Sequence, residues 1–193
     1  MSEQLRSYLA EHLSVALQME SLLPQVEDVA QVICRALEQG GRIYAFGNGG
    51  SAADAQHFTA ELVGRYRRER RPLPAVALTT DPSAVTCIGN DYDFADLFAR
   101  QVEGLVRPGD VVVGITTSGN SENVLRGLEA ARRQGAVTVA LTGGSGGRVA
   151  PVADHALVVP SGTTARIQEM HILMIHMICE RIDDWALAGR QDG

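Results

Sequence analysis

Five short apolar runs, each followed closely by Gly, Ser, Thr or Asp and then by a helical pattern, constrain the fold of this chain most. The runs are rich in Val, Ile and Ala and do not alternate with polar residues, which is typical of strands buried on both faces. We therefore predict an α/β three-layer sandwich with a five-stranded parallel sheet. The predicted strands are 42–46, 75–78, 111–115, 138–141 and 156–159, and the predicted helices are about 51–64, 82–88, 93–104, 121–134 and 164–187.

The first forty residues carry a different pattern. Residues 4–19 and 25–39 space their Leu, Val, Ala and Ile as amphipathic helices do, and Leu23-Pro24 separates the two segments. This pattern predicts a helical hairpin over about 4–39, ahead of an α/β core over about 42–187. No fixed-period repeat or long linker divides the 193 residues, so we expect a single domain.

Composition argues against several classes of protein. No apolar run approaches the roughly 20 residues that a membrane span needs, so no membrane partner is expected. Residues 1–6 lack the basic flank and cleavage site of an export signal, which indicates a cytoplasmic location. A formal net charge of −6 disfavours nucleic acid as a partner, because broad nucleic-acid binding needs a basic surface.

The cysteines and the one basic cluster give little indication of a metal-binding or catalytic site. Cys34, Cys87 and Cys179 are odd in number and far apart, which excludes a disulfide framework and a Cys-x-x-Cys metal site. We expect them to be small buried hydrophobes. The basic run over 65–71 is predicted to be a solvated helix end, except that Arg65 lies nearest to the face of a candidate glutamate and is kept as a possible site residue.

A loop rich in hydroxyl groups follows the third predicted strand. Residues 116–121, Thr-Thr-Ser-Gly-Asn-Ser, lead into a helix, so hydroxyls, free backbone N–H groups and a positive helix end converge there. This arrangement suits a phosphate dianion, although a plain helix cap is the simpler alternative. The chain lacks the lysine of a P-loop and a Gly-x-Gly-x-x-Gly after a strand, so no nucleotide cofactor is expected. A monophosphate on a small molecule fits better.

A second loop, over residues 47–51, joins the first strand to its helix. Its three glycines allow the backbone to come close to a ligand, and Ser51 ends the loop. The helix that follows places His57 and Glu61 four residues apart, hence on one face and about 5–6 Å apart at Cβ. Such a pair is either a surface hydrogen bond or part of a site, and this helix alone does not decide between them.

The last helix carries polar residues in an otherwise apolar run, and a buried polar group needs a partner or a task. His176 lies eight residues after Gln168, two turns plus about 80°, so the two side chains can edge one cavity. The alternatives are a buried histidine with a structural partner and a solvated glutamine. His171 lies about 140° from His176 and is assigned a structural role.

Four segments together resemble a known family. Gly-Asn-Gly-Gly-Ser-Ala-Ala-Asp-Ala-Gln-His at 47–57, Gly-Asn-Asp at 89–91, Thr-Ser-Gly-Asn-Ser at 117–121 and Arg-Ile-Gln-Glu-Met-His at 166–171 are similar to the sugar isomerase (SIS) fold, and more narrowly to bacterial phosphoheptose isomerases. The resemblance runs in order from about residue 5 to 184. It implies a flavodoxin-like sheet, a homotetramer with active sites shared between subunits, and isomerisation of D-sedoheptulose 7-phosphate to D-glycero-D-manno-heptose 7-phosphate for heptose and lipopolysaccharide synthesis.

The resemblance also implies roles for individual residues. The reaction needs a base, an acid and a group that holds the developing oxyanion, since a proton moves between neighbouring carbons through an enediol. By this similarity Glu61 is the base and His176 the acid. One zinc ion per subunit is held by His57, Glu61, Gln168 and His176. The substrate contacts implied by the family are Asn48, Gly49, Gly50, Glu61, Asn90, Asp91, Thr116, Thr117, Ser118, Ser121 and Gln168.

Two observations argue against assigning the family's residue roles to this chain unchanged. A carboxylate bound to zinc is a weaker base, so Glu61 cannot be fully ligand and fully base in one step. Either the metal shifts during turnover or it chiefly organises the site, and the sequence does not decide between the two. Some relatives have an acidic residue immediately before the Arg-Ile-Gln of the last helix, where this chain has Ala165. Any role of that acid is in doubt here.

Three other functions compete with this one. A catalytically silent relative of the same fold binds the DNA-replication initiator protein as a tetrameric scaffold, but it has Asn in place of His176 and lacks the Thr-Ser pair at 117–118. A sugar-phosphate sensor would need a partner domain, for which 193 residues leave no room. An isomerase for another ketose phosphate is disfavoured only by the family resemblance.

Overall fold

The computed structural model describes residues 2–188 and contains one sheet of five parallel strands in the order β2-β1-β3-β4-β5. The predicted fold class is confirmed. The predicted strand positions agree with the structure to within a few residues, and β4 extends two residues further at its end than its pattern indicated. The strands are β1 Ile43–Gly47, β2 Ala75–Ala77, β3 Val111–Ile115, β4 Val137–Gly143 and β5 His155–Val159.

Seven helices cover the two faces of this sheet in the described part of the chain. One apolar core lies between the sheet and α2, α3 and α7, and the other lies between the sheet and the α4, α5 and α6 side. The helix predicted over 93–104 begins later, because Asp93 caps a short 3₁₀ turn at Phe94–Asp96 that precedes α5. The helices are α1 Glu3–Gln18, α2 Leu23–Glu38, α3 Gly50–Val63, α4 Pro82–Asp91, α5 Leu97–Leu105, α6 Glu122–Arg133 and α7 Thr164–Ala188.

The strand order places β1 beside β3, and both strands are buried along their whole length. They pair in register from Ile43 with Val111 to Gly47 with Ile115, so they end at the same level. The chain leaves β1 and β3 toward opposite faces of the sheet, which opens a crevice at their carboxyl ends where open α/β sheets bind ligands. The glycine loop (47–51) and the hydroxyl-rich loop (116–121) begin at this crevice.

The basic run over 65–71 is mostly exposed, as predicted, but it lies beyond the end of α3 and one of its arginines is buried. Arg70 is only 3% exposed, and its Nε donates to Asp183 Oδ1 at 2.8 Å. Its two terminal nitrogens donate to the backbone oxygens of Leu62 at 2.9 Å and Glu61 at 2.6 Å. The run therefore folds back and joins the end of α3 to α7. Sequence-local patterns could not reveal this, because the anionic partner lies 113 residues away.

The cysteines divide into two environments. Cys34 and Cys179 are buried as expected, whereas Cys87 is exposed on α4. The expectation fails for Cys87 because α4 is a short peripheral helix in which Ile88 is the buried residue. Among residues 2–188, no helix combines the length and apolar character that a membrane crossing needs. The prediction that the 193 residues form one domain stays a prediction.

Candidate active site

The hydroxyl-rich loop folds into a cradle at the amino end of α6. Thr116, only 4% exposed, shares a hydrogen bond with Ser121 between Oγ1 and Oγ at 2.9 Å. Ser118 Oγ accepts from the backbone N–H of Asn120 at 3.2 Å. Ser121 is the N-cap residue of α6, yet within residues 2–188 its side chain makes no capping hydrogen bond to the helix. The first-turn N–H groups of α6 are therefore available to an anion.

Glycine is required where this cradle meets the loop after β4. Gly119 has a φ of 67°, and a side chain there would collide with the backbone of Gly146 and Gly147. Arg148, from the same neighbouring loop, donates from its backbone N–H to Asn120 Oδ1 at 3.2 Å. The loop after β4 therefore packs against the cradle and supports it.

The acidic residue that follows Ser121 is paired with two arginines. Glu122, in the first turn of α6, accepts from Arg126 Nε at 2.9 Å and from Arg148 Nη1 at 2.8 Å. These hydrogen bonds, that of Arg126 first, hold the pKa of Glu122 below its usual range. Two guanidinium groups therefore balance the negative charge of Glu122 at the amino end of α6.

A second cluster lies between α3 and α7, the two helices that share one face of the sheet. The Nε2 atoms of His57 and His176 are 2.9 Å apart, and Glu61 Oε1 lies 3.5 Å from His57 Nε2. The ring of Tyr66 stacks on that of His176 with centroids 5.4 Å apart. The structure therefore brings together residues 57, 61 and 176, which the sequence assigns to proton transfer and metal binding.

Gln168 lies against the glycine loop. A side chain at Gly50 would run into the Gln168 amide, so the absence of one there makes room for the glutamine. His176 lies two turns further along α7, against His57. Gln168 and His176 thus meet α3 at its beginning and its middle, and their position at the edge of one cavity stays a prediction.

The donor set can be tested for its fit to a metal ion. In residues 2–188, no three His, Cys, Asp or Glu side chains already stand as a metal-holding group. Two ligands of a tetrahedral zinc ion lie about 3.3 Å apart, given bonds of about 2.0–2.1 Å. The separations of 2.9 Å and 3.5 Å within the His57, Glu61 and His176 set bracket this value. Nitrogen and oxygen donors of these kinds suit zinc.

Three other candidate residues are not brought to either cluster. Asn90 Nδ2 donates to Asp91 Oδ1 at 2.7 Å, and both side chains are exposed at the end of α4. Arg65 has a 58% exposed side chain and lies 3.9 Å from Glu69. Within the described residues, no hydrogen bond joins these three to the glycine loop, the cradle or the histidines. Ser51 and Thr117 lie in their loops as expected, Ser51 buried and Thr117 half-buried.

Two polar side chains on α7 and α3 are buried, and burial shifts the pKa of each. His171 is fully buried, Nε2 lies 3.1 Å from the carbonyl oxygen of Thr142, and burial lowers the His171 pKa to about 4. Its geometry is that of a structural histidine. Asp54, one turn before His57, is 8% exposed, and burial raises its pKa to about 6. The sequence pattern did not single out Asp54, because a lone Asp in a helix gives no sign of its burial.

The turn of α7 that carries Gln168 is anchored to α1. Arg166, fully buried, donates to Glu169 Oε1 at 2.6 Å and to the backbone oxygen of Tyr8 at 2.8 Å. Glu169 Oε2 in turn lies 2.7 Å from His12 Nδ1. A charged network therefore fixes the residues on either side of Gln168 to the first helix.

One further contact joins the two loops of the crevice. The side-chain amides of Asn48 and Asn123 bond reciprocally, with Nδ2 to Oδ1 distances of 2.8 Å and 2.9 Å. Asn48 belongs to the glycine loop, and Asn123, 2% exposed, lies in the first turn of α6. Nothing in the residue pattern distinguishes Asn123 from an ordinary helix residue.

Comparison with known proteins gives a consistent result. Residues 7–143 match the SIS domain family. The chain is 54% identical over 185 residues to the phosphoheptose isomerase of Aquifex aeolicus, covering 95% of this chain and 97% of that protein.

Solved structures agree with this assignment. The phosphoheptose isomerase of Neisseria gonorrhoeae superimposes with a TM-score of 0.90 at 47% identity, covering 94% of this chain and 98% of that one. The phosphoheptose isomerase of Francisella tularensis gives a TM-score of 0.92 at 39% identity, covering 95% and 100% of the two chains. Identity at this level over nearly the full length of both partners shows more than a shared fold. The chain therefore belongs to the SIS domain family and, within it, to the phosphoheptose isomerases.

Proposed function

We propose that this chain converts D-sedoheptulose 7-phosphate to D-glycero-D-manno-heptose 7-phosphate, with Glu61 as base and His176 as acid, in heptose and lipopolysaccharide precursor synthesis. The observation that carries the proposal is the juxtaposition of Glu61, His57 and His176 in one cluster at 2.9 Å and 3.5 Å. A phosphate cradle at the same edge of the sheet supports it. Family membership supplies the substrate class.

The proton transfers follow from the positions of these groups. The Glu61 carboxylate removes a proton from C1 of the ketose, and the C–H electron pair forms the C1–C2 double bond of an enediol. His176 donates a proton to the carbonyl oxygen on C2 as negative charge develops there. Glu61 then returns its proton to C2, the C1 hydroxyl loses its proton to the imidazole, and C1 becomes the aldehyde carbon. The count of protons is unchanged over the cycle.

Residues at the two loops bind and orient the rest of the substrate. The hydroxyls of Thr116, Thr117, Ser118 and Ser121 and the first-turn N–H groups of α6 hold the phosphate at the far end of the sugar. The glycine loop over 48–51 lets the backbone approach the sugar closely. Gln168 and Arg65 are proposed to contact the sugar from the side of α7 and the end of α3.

A zinc ion would be held by His57, Glu61, Gln168 and His176. When bound, the ion supplies positive charge that stabilises the developing oxyanion. The proposal is supported by the nitrogen and oxygen donors of His57, Glu61 and His176 and by their separations of 2.9 Å and 3.5 Å, which bracket the distance between two ligands of one tetrahedral ion.

The first helix supports the proposed homotetramer. His12 joins this helix to α7, and four leucines at i,i+4 spacing form an exposed row along the helix. An exposed apolar row of this kind marks a subunit interface. Sites shared between subunits would also give a task to Asn90 and Asp91, which are exposed in a single chain. The leucines are Leu5, Leu9, Leu13 and Leu17, with exposures of 64%, 58%, 53% and 77%.

The second function predicted from the sequence, a silent scaffold for a replication initiator protein, has no comparable support. The relatives at about 50% identity are named as isomerases, and His57, Glu61 and His176 stand together in the fold. A cytoplasmic location stays a prediction.

The direct test is to incubate the purified protein with sedoheptulose 7-phosphate and to follow the appearance of aldose signals by NMR. We expect conversion that a chelator abolishes and added zinc restores. Absence of conversion under all metal conditions would exclude the proposed reaction.

The phosphate cradle gives a separate prediction. Ser118→Ala and Ser121→Ala should each weaken binding of the phosphosugar by roughly 1.5–3 kcal/mol, because each removes a hydroxyl that donates to a charged acceptor. Calorimetry with the substrate measures the effect, and inorganic phosphate should compete. Ser83→Ala is the matched control, since Ser83 also lies in a helix first turn, one that Asp81 already caps. Unchanged affinity in both variants would reduce the loop to a helix cap.

The proposed homotetramer gives a further testable prediction. Charges on the leucine row, as in Leu9→Glu with Leu13→Glu, should yield smaller species with little activity, although no proposed catalytic residue is altered. Light scattering at micromolar concentration measures the size, and Leu105→Glu, at a 47% exposed position outside α1, is the control. A monomeric wild type, or an active monomeric variant, would contradict the proposed tetramer.

A further inference from the structure

The two halves of the proposed site belong to opposite layers of the fold. Glu61, His57 and His176 lie on α3 and α7, which pack on one face of the sheet, whereas the phosphate cradle opens onto α6, which packs on the other. A substrate bound at both ends would bridge the two layers. The rate of proton transfer then depends on how accurately the layers are held relative to each other, since small displacements of a bound substrate cost rate steeply.

The reciprocal amide pair of Asn48 and Asn123 joins these two layers at the substrate's end of the sheet. Asn48 lies between β1 and α3, immediately ahead of the helix that carries Glu61. Asn123 lies two residues after Ser121, the residue that completes the cradle. Both hydrogen bonds are short, at 2.8 Å and 2.9 Å, and Asn123 is 2% exposed. The pair therefore spans the crevice between the ends of β1 and β3.

We propose that Asn123 is a positioning residue of the isomerase, which acts by tying the glycine loop to the phosphate cradle so that the reacting carbons are held at Glu61. The inference rests on the proposed function. Each amide in the pair uses one N–H and one carbonyl oxygen, so each retains a second N–H group. Asn48 can thus bind the sugar with its free N–H while Asn123 fixes its position. Asn123 itself uses its buried side chain on Asn48 and does not need to touch the phosphate.

This role predicts a separation of two measurements. Asn123→Ala should lower kcat/KM for sedoheptulose 7-phosphate by on the order of 10–100-fold. The inhibition constant of inorganic phosphate should be unchanged, because phosphate alone occupies only the cradle. Asn48→Ala should lower kcat/KM as well, and the double variant should lose less than the product of the two single losses, since both break the same contact. Asn123→Ser serves as a second variant if the alanine protein does not fold.

The control is Thr138→Val, which removes a buried hydrogen bond of 2.7 Å to Asp154 at the opposite end of the sheet. It should lower the melting temperature without changing kcat/KM. An Asn123→Ala protein with a lower melting temperature and wild-type kcat/KM would overturn the proposal, as would an inhibition constant for phosphate that rises in parallel with KM. An inactive wild type would instead refute the proposed function, so the two failures are distinguishable.

Discussion

Replacement of Glu61 by Gln should lower kcat for ketose–aldose conversion by on the order of 10²–10⁴ while the protein stays folded. Glutamine keeps the size and the hydrogen-bonding shape of the side chain but cannot accept the proton from C1. His176→Gln should lower kcat at least as much, because it removes the proposed acid and a proposed zinc ligand together. Turnover is measured by NMR on purified protein, and circular dichroism verifies the fold.

The controls separate general from specific effects. Glu69→Gln changes a carboxylate whose side chain is 86% exposed near the end of α3, and it should leave kcat unchanged. His57→Gln removes a proposed zinc ligand without removing the acid or the base, so zinc content should fall in this variant as it does in His176→Gln. Wild-type turnover in either the Glu61 or the His176 variant would remove that residue from the mechanism.

Substitution of Arg70 by Met should destabilise the fold by about 3–5 kcal/mol, because it leaves the carboxylate of Asp183 buried without its cation. The two side chains are 1% and 0% exposed and meet at 2.8 Å. Burial opposes ionisation of Asp183, but the backbone N–H groups of Arg67 and Arg68 and the guanidinium of Arg70 together hold its pKa below the usual range. Urea unfolding at neutral pH measures the loss.

The pH dependence of this loss has a definite sign. A depressed carboxyl pKa contributes stability that is present above the pKa of the unfolded state, near 4, and is lost as the pH falls through the lower folded value. The stability gap between wild type and Arg70→Met should therefore persist from neutral pH down to about pH 4 and shrink as the pH falls further. Arg181→Met, which breaks an exposed pair with Glu27 at 2.8 Å, should cost no more than about 1 kcal/mol. Full stability of Arg70→Met would show that the buried pair contributes nothing.

The architecture could be predicted because its information is local. Non-alternating apolar runs indicate strands covered on both faces, and the structure has β1 and β3 buried throughout. The sequence pattern predicts the ends of helices less well where a side chain caps a turn, as Asp93 caps the 3₁₀ turn ahead of α5. The pattern of apolar runs does not say which strands are neighbours.

Buried charges could not be predicted, because their partners are remote in the sequence. Arg70 looks like one of several surface arginines until α7 brings Asp183 to it across 113 residues. Arg166 likewise depends on Glu169 together with the backbone of Tyr8, 158 residues away. Charge runs indicate a solvated face only when no distant carboxylate returns to meet them.

Residue spacing within a helix predicts part of the candidate site. The i,i+4 spacing of His57 and Glu61 predicts that their side chains meet, and the structure shows this contact, which His176 joins where α7 packs on α3. The roles of these residues and the position of Gln168 in the site stay predictions. Asn123 could not be identified in this way, since its partner Asn48 lies 75 residues away. The roles of Asn90 and Asp91 stay predictions, because a single chain leaves them exposed.

The division of the site between two helix layers bears on which sugars the protein accepts. In the proposed site the phosphate is held from the α6 side and the reacting carbons from the α3 and α7 side, so the span between them would be set by how the helices pack on the sheet. The number of carbons that the site accepts between the phosphate and the carbonyl group then depends on the distance between the two helix layers and not on any one side chain. Selection by carbon-chain length should accordingly survive point substitutions that reduce the rate, since no single residue in either cluster defines the span.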